Sequence, residues 1–224
     1  MGKLFSTSAV ALLLATSAAS ASTLSLVGGD SGNPVPTNFG PLRDVNGAVA
    51  TPSDLTAPVT IFDYDDNAVP LTEGLFVSGD SSVQITLTYL GFEAGNTNFG
   101  SSVLAGGSLF SNETSVSGDS ITFTQSAGSG TLVDVFFSTL GEFTQPCSIT
   151  NGLTFGSTCQ LAFTNIFNDG TSTYALFGDG FGDSDLDDLV FRIDVTAVPL
   201  PAAGFLLVAG LGGLAATRRK KAKS

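Results

Sequence analysis

From Val83 to Tyr89 the chain alternates without interruption, so that Val83, Ile85, Leu87 and Tyr89 share one side of an extended strand and Gln84, Thr86 and Thr88 the other. A period of two belongs to a β-strand with one face buried. The pattern returns in Ile121-Thr122-Phe123-Thr124 and in Val190–Val195, where Phe191, Ile193 and Val195 are expected inside and Val190, Arg192 and Asp194 outside. Between residues 22 and 197 no segment carries an apolar stripe of helical period, so this part of the chain is expected to bury itself as sheets. Strand-length segments at Val59–Tyr64, Leu75–Ser78, Val83–Phe92, Ser102–Phe110, Ser120–Gln125, Leu132–Thr139, Gln160–Phe167, Thr173–Phe177 and Leu189–Thr196 are broken by Gly, Asn, Asp and Ser. About eight to ten such strands, with turn residues every ~8–12 positions, predict an all-β fold, an antiparallel β-sandwich or jelly roll. The 18 phenylalanines supply core volume in a chain with no tryptophan. Residues 22–58 are rich in Gly, Pro and Asn and are expected to form an irregular N-terminal arm, with Thr23–Val27 as an edge strand; residues 59–197 are the β-sandwich domain.

Both ends carry addresses. Met1–Ala21 has Lys3, an apolar stretch from Ala9 to Ala15, and Ala19-Ser20-Ala21 as a cleavage site, the layout of a signal peptide that signal peptidase removes before Ser22. Residues 198–224 begin with Val198-Pro199-Leu200-Pro201-Ala202, continue as an uncharged segment, and end in Arg218, Arg219, Lys220, Lys221 and Lys223. A helix of about 20 such residues, at about 1.5 Å each, spans a ~30 Å hydrocarbon layer. The basic end is expected to stay cytoplasmic, which puts everything before Val198 across the membrane. Gly204, Gly210, Gly212 and Gly213 weaken the apolar segment as a permanent anchor.

In motif, apolar segment and basic end, residues 198–224 resemble the C-terminal sorting signals of the PEP-CTERM group, in its V-P-L-P-A variant. The resemblance implies recognition and cutting near the motif by an exosortase-type membrane protease, followed by release or transfer to the cell surface. The L-P-x-T-G motif of sortase substrates is absent. A plain single-pass anchor, with Pro199 and Pro201 merely starting the helix, remains the alternative.

Charge and composition narrow the function. The exported domain holds all 20 acidic residues against only Arg43 and Arg192, a charge of −18. Nucleic acid and anionic lipid are poor partners for such a surface, because phosphate recognition needs cations. Solubility and association with divalent cations are favoured instead. Without histidine, Ser-His-Asp and Cys-His catalysis and the usual histidine zinc sites are not available. Hydrolysis by paired carboxylates stays open as a third class. Cys147 and Cys159, an even pair in an exported chain, are expected to form a disulfide.

Two acidic clusters stand out, Phe62–Asn67 and Gly178–Phe191. In the second, Asp179, Asp183, Asp185, Asp187 and Asp188 are candidate calcium ligands, since alternate carboxylates in a Gly-rich turn can converge on one ion. The EF-hand is excluded: Asp188 stands where its sixth-position glycine belongs and Asp194 where its final glutamate belongs. The alternative is a polar turn whose carboxylates accept backbone N–H bonds. Residues 183–190 also resemble the closing D-x-D-[aromatic]-[Asn/Asp]-D-[Leu/Val]-[Val/Ile] motif of an uncharacterised domain in exported bacterial proteins, with Leu186 in place of the aromatic. Tyr89–Asn98 resembles a Y-x-G-x-E-A-G-x-x-N segment of PEP-CTERM proteins. Asn112-Glu113-Thr114 fits a glycosylation sequon that bacterial-type sorting makes irrelevant. The expectation is an exported, exosortase-sorted surface or extracellular-matrix protein without catalytic activity. The alternative is a calcium-assisted carbohydrate-binding module on a surface polysaccharide.

Overall fold

The computed structural model describes residues 21–34, 41–52, 60–63, 72–79, 81–106, 109–142, 146–152, 159–164, 170–180, 186–198 and 210–212. The described strands are β1 (Thr23–Val27), β2 (Asp30–Pro34), β3 (Arg43–Asp44), β4 (Gly47–Ala48), β5 (Thr60–Asp63), β6 (Gly74–Ser78), β7 (Ser82–Gly91) and β8 (Asn98–Ser101). They continue as β9 (Leu109–Ser111), β10 (Ser120–Ser126), β11 (Thr131–Leu132), β12 (Phe136–Thr139), β13 (Cys147–Thr150), β14 (Gln160–Thr164), β15 (Ser172–Gly178) and β16 (Leu189–Ala197). Every pairing among them is antiparallel. The largest sheet runs β10-β7-β16-β15-β14-β5-β2; a four-stranded sheet runs β13-β12-β8-β9 and a three-stranded one β1-β6-β11. Within residues 22–58, then, the described segments contribute strands to the sheets, with β1 at an edge.

The alternation in β7 decides which face is buried. Val83, Ile85, Leu87 and Tyr89 are fully buried, while Thr86 faces Thr122 of β10 in register, their hydroxyls 2.9 Å apart. Opposite that inner face, the four- and three-stranded sheets contribute Leu24, Leu75, Val77, Phe110, Phe137 and Ile149 to one common core, as in a β-sandwich. Aromatic rings fill its centre. Phe191 lies 5.2 Å from Phe110 and 5.3 Å from Phe137, and Phe137 stacks on Phe177 at 5.0 Å. Gly100 in β8 sits where any Cβ would collide with the ring of Phe191, so the close approach of β8 to β16 requires glycine.

Three expectations are corrected. Ser102–Phe110 is not one strand: β8 ends at Ser101, residues 103–106 form turns, and β9 starts at Leu109. Asp134 holds that turn by accepting the Ser102 hydroxyl at 2.5 Å and the Leu104 N–H at 2.7 Å, leaving Val103 and Leu104 exposed. Leu132–Thr139 is likewise divided into β11 and β12. Val190 does face away from the main core, yet it is buried, because the segment bearing β3 and β4 covers that end of the sheet and packs Leu42 and Val49 with Leu176, Leu186 and Val190.

Cys147 and Cys159 are joined, their Cα atoms 5.9 Å apart. The bridge ties the start of β13, in the four-stranded sheet, to the residue before β14, in the seven-stranded one. A loop of this size gives about 3 kcal/mol in the chain-entropy account. Among the described residues no helix is long and apolar enough to cross a membrane. Residues 1–20, where a signal peptide is expected, and Pro199, Leu200, Pro201, Ala202 and most of the tail lie outside the described residues.

The Tyr89 hydroxyl is buried without a hydrogen-bond partner among the described residues. Burial first, then the charges of Asp44 and Asp119, push its pKa well above the ordinary tyrosine value. The unfolded chain releases that proton near pH ~10 while the folded one keeps it, so stability falls as pH rises above that point. Tyr89→Phe is expected to shrink this alkaline loss and to leave neutral-pH stability equal or higher, since it removes an unsatisfied buried hydroxyl. Thermal melts of both proteins at neutral and alkaline pH check it.

Candidate functional site

The two segments that stand out separately in the sequence, Tyr89–Asn98 and the Asp-rich connection, meet in the fold. β16 pairs with β7 and β15, so the β7–β8 connection and the β15–β16 connection emerge at the same end of the large sheet. The register slips there: Val190 opposes Gly91 and Phe191 opposes Tyr89, leaving Leu90 as the extra residue of a bulge. Past that point the Glu93 N–H donates to the Asp187 carbonyl at 2.9 Å.

Asn98, the last residue of its segment, is the joint. Its Nδ2 donates to Asp179 Oδ2 at 3.0 Å and to the Asp188 carbonyl at 3.5 Å. Its backbone N–H donates to Asn112 Oδ1 at 3.0 Å, and its own Oδ1 is buried without a donor among the described residues. The Asp179 N–H in turn donates to Asp188 Oδ2 at 2.6 Å. Asn112 Nδ2 closes the set on the Asn96 carbonyl at 2.6 Å, so the sequon asparagine is a buried structural amide. Asp179, Asp187 and Asn98 are each 0% exposed, and Asp188 is 6% exposed. Leu186, standing in the aromatic position, is buried with Leu42, Tyr174 and Leu176 and anchors the end of the Asp-rich connection.

The charges around this junction are one-sided. Arg43 stacks over Phe92, 5.0 Å from its ring centre, and its guanidinium donates to the carbonyls of Glu93 and Ala94 at 2.6 and 3.1 Å. Arg192 bridges Asp194 at 2.9 Å on the outer face of the sheet. These are the only two cationic side chains between residues 22 and 197.

Of the five aspartates expected to bind calcium, the structure brings Asp179, Asp187 and Asp188 into one buried region; Asp183 and Asp185 lie outside the described residues. Among the described residues no group of three or more His, Cys, Asp or Glu side chains converges as a ready metal site. From the first acidic cluster Tyr64–Asn67 also lies outside them. Sequence reasoning did not single out Asn98 as a partner of the aspartates, although its place at the end of the Y-x-G-x-E-A-G-x-x-N segment was the signal. Comparison with protein-family models, with curated proteins and with solved structures finds no match to this chain.

Proposed function

We propose that this chain is an exported, non-catalytic surface or extracellular-matrix protein, delivered by its signal peptide and sorted by an exosortase-type membrane protease. The observation that carries the reading is the tail: Val198-Pro199-Leu200-Pro201-Ala202, an uncharged segment and a five-cation end, in that order. The Cys147–Cys159 disulfide supports it, because such bridges belong to oxidising compartments outside the cytosol. The buried junction supports a non-catalytic role. Asp179 and Asp187 are sealed from solvent, whereas a carboxylate pair that cleaves a glycosidic bond must reach its substrate. The test is whether mature protein from the cell surface has lost Arg218–Lys221.

The second reading is a calcium-assisted carbohydrate-binding module. It is favoured by the outer face of the large sheet, where Thr122, Thr86 and Asp194 form one row across three strands. Such a row of two hydroxyls and one carboxylate suits hydrogen bonding to sugar hydroxyls. A glycan array in calcium and in chelator decides it: calcium-dependent binding of one glycan class supports the module, and binding to none removes it. Polysaccharide turnover abolished by a single carboxylate substitution would overturn both readings.

A further inference from the structure

We propose that β10 is an interaction edge through which two copies of this chain pair, strand to strand, into one continuous sheet. β10 closes one side of the large sheet and pairs with β7 alone. Two bonds that flank this pairing show which backbone groups it uses. The Tyr89 N–H donates to the Asp119 carbonyl and the Ala127 N–H to the Ser81 carbonyl, both in the β10–β7 register. Hydrogen-bonded residues alternate along an antiparallel pair, so Ile121, Phe123 and Gln125 turn their N–H and C=O groups to β7. Ser120, Thr122, Thr124 and Ser126 turn theirs outward. All four are exposed, and their backbone groups meet no partner among the described residues.

The other described edges carry the devices by which sheet proteins prevent such pairing. β2 has Asp30, Pro34 and a break in register. β9 and β11 span three and two residues, and β13 spans four with Cys147 in the disulfide. In β1 the Leu24 N–H is taken up by the Gly170 carbonyl. β10 has none of these: its seven residues include no proline and no charge, and its register with β7 is unbroken.

The occupant is a second copy because the edge is complementary to itself. About a two-fold axis at Phe123, Ser120 falls opposite Ser126 of the other copy and Thr122 opposite its Thr124. Outward groups then meet outward groups along the whole strand, and about eight backbone hydrogen bonds form. Charge points to the same place. Residues 22–197 carry −18, so two copies repel across most of their surfaces. From Ser120 to Val133 there is no charge, and in this register Asp119 falls opposite Ala127 and not opposite another carboxylate. With β2 protected at the far side of the sheet, pairing closes at two copies and no filament grows.

The experiment is sedimentation equilibrium of the full chain in mild detergent, at low and high salt, with Thr124→Pro as the comparison. A monomer–dimer equilibrium is expected, tighter at high salt because screening relieves the repulsion between copies. Proline is tolerated on an edge strand where the lost N–H faces outward, so Thr124→Pro should fold and weaken the dimer about tenfold or more. Should that variant not fold, amide exchange of the wild type carries the test. The amides of Thr122, Thr124 and Ser126 should exchange fast in dilute protein and slowly where the dimer forms, while those of Phe123 and Gln125 stay protected in both. A wild-type chain that remains monomeric at its highest soluble concentration overturns the proposal and leaves the edge to a foreign strand. A dimer that Thr124→Pro leaves intact, open-ended oligomers, or edge amides protected at every dilution overturn it as well.

Discussion

Phe191→Ala is expected to cost about 3–5 kcal/mol, a large part of the roughly 5–15 kcal/mol that holds a typical domain folded. The ring is fully buried at the meeting of the two layers, within 6.0 Å of Tyr89, 5.2 Å of Phe110 and 5.3 Å of Phe137. Across from the ring β8 offers only Gly100, so little side chain is at hand there to fill the space. Urea denaturation checks the loss, with Phe191→Leu expected to cost less. A double-mutant cycle makes the account specific. Gly100→Ala collides with the Phe191 ring in the wild type, and most of its penalty should vanish in the Phe191→Ala background. Additive effects would mean that Gly100 is needed for some other reason.

Asn151→Ala should be the most damaging polar substitution of this layer. Asn151 Oδ1 accepts the Leu75 N–H at 2.9 Å, while its Nδ2 donates to the carbonyls of Leu75 at 2.7 Å and Val133 at 2.9 Å. One buried amide thus closes the backbone between β6, the residue after β11 and the turn after β13, linking the three- and four-stranded sheets that share a layer. Alanine orphans the buried Leu75 N–H and takes one of two donors from the carbonyls of Leu75 and Val133, which keep the Val133 and Val135 N–H groups at 2.9 and 3.0 Å, so a loss of about 2 kcal/mol is expected. Equilibrium unfolding measures it, and amide exchange at Leu75 should lose protection. Asn151→Asp keeps the acceptor but loses both donors, and is expected to do no better than alanine. A loss below about 1 kcal/mol in either variant would show that water replaces the side chain.

What the sequence made legible follows from the range of the interaction. The two faces of β7, the inward Phe191, Ile193 and Val195, and the Cys147–Cys159 bridge depend on alternation or on a simple pair, and these are as expected. The segment Ser102–Phe110 misled because Val103 and Leu104 look like strand residues. They are 72% and 54% exposed on a turn that is held by Asp134, some 30 residues away in the chain. β13 escaped notice because Cys147–Thr150 offers a single buried apolar residue, Ile149, too little for a period to show. Val190 reads as a surface residue until the β3–β4 segment covers it, a contact between parts of the chain far apart in sequence. The candidate site was half legible. Both segments were visible as motifs, but the bond between Asn98 and Asp179 joins residues 81 positions apart, and no local pattern encodes that. Asn151 hid for a related reason: Asn-Gly announces a turn, and nothing in it announces three long-range hydrogen bonds.

The surface-protein account rests on processing at both ends of the chain, and the intact mass of protein recovered from the cell surface tests it most directly. The expected chain starts at Ser22 and ends within Val198–Ala202, without the apolar segment and without Arg218, Arg219, Lys220, Lys221 and Lys223. With Cys147 and Cys159 joined its mass should be lower by two hydrogen atoms than after reduction. A surface-located chain that still ends at Ser224 would contradict sorting and make the tail an ordinary membrane anchor.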